Sequence, residues 1–91
     1  MKEAQAKGYE YEKKIAKKLG KHVGGPGNPD YIRNGKKGEV KATERPVGVS
    51  VIKKEMKKGT KEIDSKNGHT KQGIELAKKK SITLRIKGKK I

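Results

Sequence analysis

Apolar residues are sparse along this chain, but they are spaced rather than scattered. Ala4, Tyr11, Ile15, Ala16 and Leu19 recur at three- and four-residue steps with lysines opposite. That is the period of one helix face, predicting a helix over residues 3–19 that ends at Gly20. Residues 29–33 and 36–43 flank Asn34-Gly35, the strongest short signal for a two-residue type I′ turn, because both turn residues need positive φ. Tyr31, Val40 and Ala42 then share one face of the hairpin, which should meet the core. Pro46 interrupts the second strand. Val49, Ile52 and Met56 stand at i, i+3 and i+7 and predict a short helix over about 48–58, ended by Gly59. Residues 60–65 alternate weakly around Ile63 and predict a third strand. Thr70, after the Asn67-Gly68 break, predicts the N-cap of a helix to about Lys80, with Ile74 and Ala77 or Leu76 inward. Ile82, Leu84 and Ile86 alternate through 82–87, the clearest strand pattern, and Gly88-Lys89-Lys90-Ile91 reads as a tail or turn. The order is α-β-β-α-β-α-β. A hairpin that hands over to βαβ crossovers predicts an α/β (α+β) fold, one domain over residues 1–91 with a mixed sheet flanked by helices.

Composition narrows the picture. Hydrophobic residues make up 29%, with no Phe and no Trp, so the core is small for a domain of this length. Marginal stability, or support from a homodimer interface, is expected. The net charge is +16, a field that favours a polyanion: nucleic acid first, an anionic membrane surface second. No apolar run approaches the roughly 18 residues of a spanning helix, and no signal-peptide pattern opens the chain. The expected compartment is the cytoplasm, with no membrane partner. There is no cysteine, which excludes disulfides and thiolate metal sites. No Ser/His/Asp arrangement and no zinc spacing is present. The three aromatics are all tyrosine, so stacking on unpaired bases is limited and contacts should fall on phosphate, with little sequence readout. Gly24-Gly25-Pro26-Gly27-Asn28 is a loop. It lacks the Lys-Ser/Thr that would make it a phosphate cradle, and a plain connection is the simpler reading.

The candidate chemistry sits on the hairpin. With Asn34-Gly35 as the turn, Arg33 pairs with Lys36 and Asp30 falls directly across from Glu39. Opposed side chains have Cβ atoms roughly 4.5–5.5 Å apart. Lys41, two residues past Glu39, points to the same face. Carboxylates facing each other across a sheet repel, and keeping them needs a compensating charge. A divalent cation such as Mg²⁺, which takes oxygen ligands from one or two carboxylates plus substrate phosphate, fits that need.

Asn28-Pro29-Asp30 followed by Glu39-Val40-Lys41 on the next strand resembles the signature of the PD-(D/E)XK nuclease superfamily. Gly8-Tyr9-Glu10-Tyr11-Glu12 before Ile15-Ala16 and Leu19-Gly20 is similar to the first helix of Mrr-type nucleases and archaeal Holliday-junction resolvases. The segment from Ser65 to Ile91 resembles the final strand-helix-strand of Mrr-type domains. The stretch between Lys41 and Ser65 is shorter than in most relatives, His69 stands where an aromatic is common, and Gly73 where alanine is common. The resemblance implies a restriction-endonuclease-like core and a metal-dependent DNA endonuclease. By it, Asp30 and Glu39 ligate Mg²⁺, with Mn²⁺ substituting. Lys41 orients or activates the attacking water and stabilises charge on the phosphate, and Glu12 is a helix ligand or assists the metal site. Lys71 and Gln72 begin the helix where related nucleases carry a polar residue facing the site. His69 would carry a proton or touch phosphate, and Arg33, Lys36 and Lys37 would hold the DNA. Branched DNA such as a junction is the most attractive substrate.

Each of these residues also has a plainer role. Asp30 can cap the turn after Pro29, Glu39 can be a surface partner for a lysine, Glu12 can form a helix salt bridge, and Lys41 is one lysine among many. The rival functions are a non-catalytic basic nucleic-acid-binding protein, of the chromatin or ribosome-associated kind, and a domain that binds an acidic protein. Charge alone supports them.

Overall fold

The computed structural model describes residues 2–23 and 29–91, with side chains for residues 10–23 and 29–91. The side chains of Ala4 and Tyr9 and the whole Gly24–Asn28 loop therefore lie outside the described residues. In chain order the elements are α1 (Lys2–Leu19), β1 (Lys21–His22), β2 (Tyr31–Arg33), β3 (Lys36–Lys41), α2 (Val49–Lys57), β4 (Glu62–Ser65), α3 (Lys71–Lys79), β5 (Thr83–Ile86) and β6 (Lys89–Lys90). The strands form one sheet in the order β1-β2-β3-β4-β5-β6. β1, β2 and β3 are antiparallel neighbours, β3, β4 and β5 run parallel, and β6 closes the far edge antiparallel to β5. This is a mixed α+β fold. The two-residue strands β1 and β6 are additions to the expected order, too short for alternation to reveal.

Local signals explain the elements. Asn34 and Gly35 take φ of 52° and 77°, the two left-handed residues that a type I′ turn requires. The ladder they set pairs Arg33 with Lys36 and Tyr31 with Gly38. Thr70 caps α3, its hydroxyl accepting from the Gly73 N–H at 3.0 Å. β3 stops at Lys41, before Ala42, which is only half-buried on the way into the Pro46 loop.

Both faces of the sheet are covered. Successive side chains on a strand point to opposite faces, so Tyr31, Gly38 and Val40 share one face with Glu62, Asp64 and Arg85, as the ladder registers show. On that face α1 packs Ile15, Ala16 and Leu19 against Tyr31 and Val40. Gly38 makes this possible: a Cβ there would sit 2.1 Å from Cζ of the Tyr31 ring. The other face carries Glu39, Lys41, Ile63 and Leu84. There Val47, Ile52, Ile63, Ala77, Ile82 and Leu84 form the second apolar cluster with α2 and α3. The core face expected from Tyr31 and Val40 is thus one of two.

Candidate functional site

Asp30 sits one residue before β2. Its main-chain N–H donates to the Gly38 carbonyl at 3.0 Å, and its Oδ2 accepts from the Val40 N–H at 2.7 Å. The side chain therefore lies across the start of the Glu39-Val40-Lys41 segment, and its carboxyl and that of Glu39 share a hydrogen bond. Burial, then Asp30, then the more distant Glu55 raise the Glu39 carboxyl from 4.5 to about 8, against the opposing pull of Lys41. Near neutral pH Glu39 therefore keeps its proton. On its other side Asp30 contacts Glu12 of α1, whose carboxyl is also raised, first by burial and then by Asp30, and lowered by His22. His22 Nε2 lies 3.6 Å from Glu12 Oε2.

Lys41 carries the row on toward α2. Its ammonium is 3.0 Å from Oε2 of Glu55 on α2. Glu55 is fully buried. Its Oε1 accepts from the Thr60 hydroxyl at 3.0 Å and its Oε2 also faces Lys58 at 3.4 Å. Lys41 holds the Glu55 carboxyl below the usual range in spite of burial. Side by side the groups run His22, Glu12, Asp30, Glu39, Lys41, Glu55. They form a row rather than a cup: among the described residues no three or more His, Asp or Glu side chains converge as a metal-holding group. Two oxygen-bearing carboxyls in contact, Asp30 and Glu39, are the donor set on offer.

The residues expected to meet DNA divide in two. Lys71 and Gln72 are exposed at the start of α3. They lie beyond the carboxyl ends of the parallel strands, the end to which Lys41 also belongs, and that is where ligands collect in open α/β sheets. Arg33 is half-buried, and Lys36 and Lys37 are exposed, at the hairpin turn. Lys36 is three residues from Glu39, about 10 Å of strand. His69 departs from expectation. It is half-buried, and its Nε2 lies 2.9 Å from the Arg85 carbonyl oxygen. Burial lowers its pKa, and the Arg85 carbonyl gives the ring a partner within the fold. An open groove of about 770 Å³ runs from Lys41 past Thr43, Arg45, Val47 and Ser50 to Lys54. A second groove of about 460 Å³, lined by Ile74, Ala77, Ile82, Leu84 and Ile91 with Lys78 and Lys90 among its polar residues, includes none of the row.

Sequence reasoning missed Glu55, and a signal existed. Position 55 follows Ile52 by three residues and precedes Met56, so a glutamate stands on the apolar stripe of α2. It also missed the buried polar set under α1. Tyr31 donates to Glu62 Oε1 at 2.9 Å, Arg85 Nε lies 3.3 Å from the same oxygen, Tyr11 donates to Asp64 Oδ2 at 2.7 Å, and the Gly88 N–H donates to Asp64 Oδ1 at 2.6 Å.

No family model matches the chain, and no curated protein and no solved structure matches it. No helix among the described residues is long and apolar enough to cross a membrane.

Proposed function

We propose that this protein is a Mg²⁺-dependent deoxyribonuclease of the PD-(D/E)XK type, built on a restriction-endonuclease-like core and acting on duplex or branched DNA. The observation that carries this reading is the contact between the Asp30 and Glu39 carboxyls, with Lys41 on the same face of β3 as Glu39. Two acids held so close that one keeps its proton to about pH 8 are a seat for a hard cation. Asp30 and Glu39 would hold Mg²⁺ or Mn²⁺, with water and a substrate phosphate completing the shell. The ion, when bound, would polarise the scissile phosphate and lower the pKa of a bound water. Lys41 places a positive charge beside that phosphate. Glu12 backs Asp30 from α1.

The +16 charge draws the polyanion in. Arg45 and Lys54 on the groove, with Lys71 at the start of α3, are suited to hold the strand near the site, and the lysines of the hairpin turn contact it farther along. A homodimer would present two such sites to a junction.

The test is cleavage of linear, single-stranded and branched DNA with Mg²⁺ or Mn²⁺. Asp30→Asn should abolish cleavage while DNA binding stays intact or tightens, since the near-isosteric amide removes a charge that both holds metal and repels phosphate. Wild-type activity in Asp30→Asn would point to a contaminant. Complete inactivity of the wild type with salt-sensitive binding retained would leave a basic nucleic-acid-binding protein without chemistry.

A further inference from the structure

Lys41 has two candidate partners on its own face of the sheet. Glu39 is two residues back on β3, about 6.6 Å along the strand, within reach of a lysine stem. Glu55 approaches from α2. A lysine beside two crowded carboxyls would ordinarily neutralise them, since opposite charge is what such a pair lacks. Here the ammonium instead pairs with Glu55 at 3.0 Å, and among the described residues it forms no ion pair with Glu39. Glu55 is held in place from behind. Thr60 donates to its Oε1 through the hydroxyl at 3.0 Å, and the Thr60 N–H donates to the Glu55 main-chain carbonyl at 3.2 Å. Its side chain is 1% exposed, against 26% for Lys41, so the anchor is the buried member and the lysine is the arm.

We propose that Glu55 is a positioning residue that draws the Lys41 ammonium away from the Asp30–Glu39 pair, leaving the pair open to a divalent cation and the lysine poised beside it. The inference rests on reading Asp30 and Glu39 as a cation seat. Without Glu55, Lys41 turns to Glu39 and becomes an internal competitor for that seat. Glu55 touches neither cation nor DNA.

Mn²⁺ binding without DNA, followed by electron paramagnetic resonance, tests this apart from activity. Glu55→Gln should weaken Mn²⁺ about tenfold, the low end for groups that orient a metal site from behind. The double variant Lys41→Ala/Glu55→Gln should return to within about threefold of wild type, because the competitor has gone and no unpaired buried charge is left. A double variant as weak as Glu55→Gln would show a direct charge effect and overturn the proposal, as would an unchanged Glu55→Gln. Lys58→Ala, at the exposed partner of Glu55, should change nothing.

A second measurement covers the case in which wild type binds no Mn²⁺ and the metal reading fails by itself. The Lys41 ammonium nitrogen resonance, identified with Lys41→Arg, should exchange slowly with water at low temperature. It should be lost or shifted in Glu55→Gln and indifferent to Glu39→Gln. The reverse pattern would sink the assignment of Lys41 to Glu55.

Discussion

Two sets of buried or half-buried acids lie on this small sheet, and they are handled in opposite ways. Under α1, Glu62 and Asp64 meet only donors: the Tyr31 and Tyr11 hydroxyls, the Arg85 guanidinium and the Gly88 N–H. Burial first, then the neighbouring carboxylate, raises both phenols well above their ordinary pKa, so each stays a donor. On the hairpin, Asp30 meets Glu39 on one side and Glu12 on the other, acid against acid. The first set satisfies its acceptors within the chain, as buried charges must. The second sets half-buried acids against one another, and Glu39 keeps its proton to about pH 8 as a result. The contrast separates acids that the fold satisfies from acids that it leaves crowded against each other.

The largest effect should come from breaking the satisfied set. Glu62→Ala leaves Arg85, only 9% exposed, without its carboxylate. Removing one partner of a buried pair costs about 3–5 kcal/mol, a large share of the roughly 5–15 kcal/mol that holds a domain. Urea unfolding measures it; a loss under about 1 kcal/mol would place Arg85 in solvent and dissolve the contrast.

The next concerns the crowded set and its cation. Since the Glu39 carboxyl keeps its proton up to about pH 8, a cation bound there must displace it. Mn²⁺ affinity should climb about tenfold per pH unit below that value and level off above it. Titrations at pH 6, 7 and 8 check this. A flat profile would move the cation elsewhere.

Stability should show the opposite sign from Glu62. The folded state keeps a proton on Glu39 between about 4.5 and about 8, where an unfolded glutamate has lost it. The folded state therefore binds more protons in that window, and stability falls as pH rises through it. Glu39→Gln removes the fall. With chelator present, the variant should match wild type near pH 4 and exceed it by about 1 kcal/mol at pH 8.5, a figure discounted because the side chain is half-exposed. Glu44→Gln, with the same change in net charge at an exposed site, is the control.

How far these two sets could be read from sequence differs for a physical reason. The hairpin set is local: Asn34-Gly35 fixes the register that pairs Tyr31 with Gly38, Asp30 stands just before that ladder with its carboxyl on the Val40 N–H beside Glu39, and strand parity puts Lys41 on the face of Glu39. The helix periods at Ile15, Ile52 and Ala77 likewise mark faces that the fold buries. The satisfied set depends on which strand lies beside which. Glu62 and Arg85 are 23 residues apart and meet because β4 and β5 pair in parallel, a fact that no local pattern encodes. Glu62-Ile63-Asp64-Ser65 also looks half-solvated, yet all four are buried, since phenols from β2 and α1 supply the donors. Glu55 lay between: its place on the apolar stripe of α2 was visible, its partner on β3 was not.

The smallest effect should be at Glu12, and it decides whether the row has two ligands or three. The resemblance implies a ligand or an assistant. In the structure Glu12 comes from a separate element, contacts Asp30, and faces His22 at 3.6 Å on its other side. Glu12→Gln removes one negative charge near the seat, which weakens a cation. The amide N–H can still donate to Asp30, which favours the ionised carboxylate and so strengthens the cation's hold. The two effects oppose, and the net loss in Mn²⁺ affinity should be threefold or less, about 0.6 kcal/mol at a partly screened distance. A loss of tenfold or more would mean that an oxygen has been taken from the ion's own shell. Glu12 would then be a ligand, and the carboxyl row would close around the cation on binding.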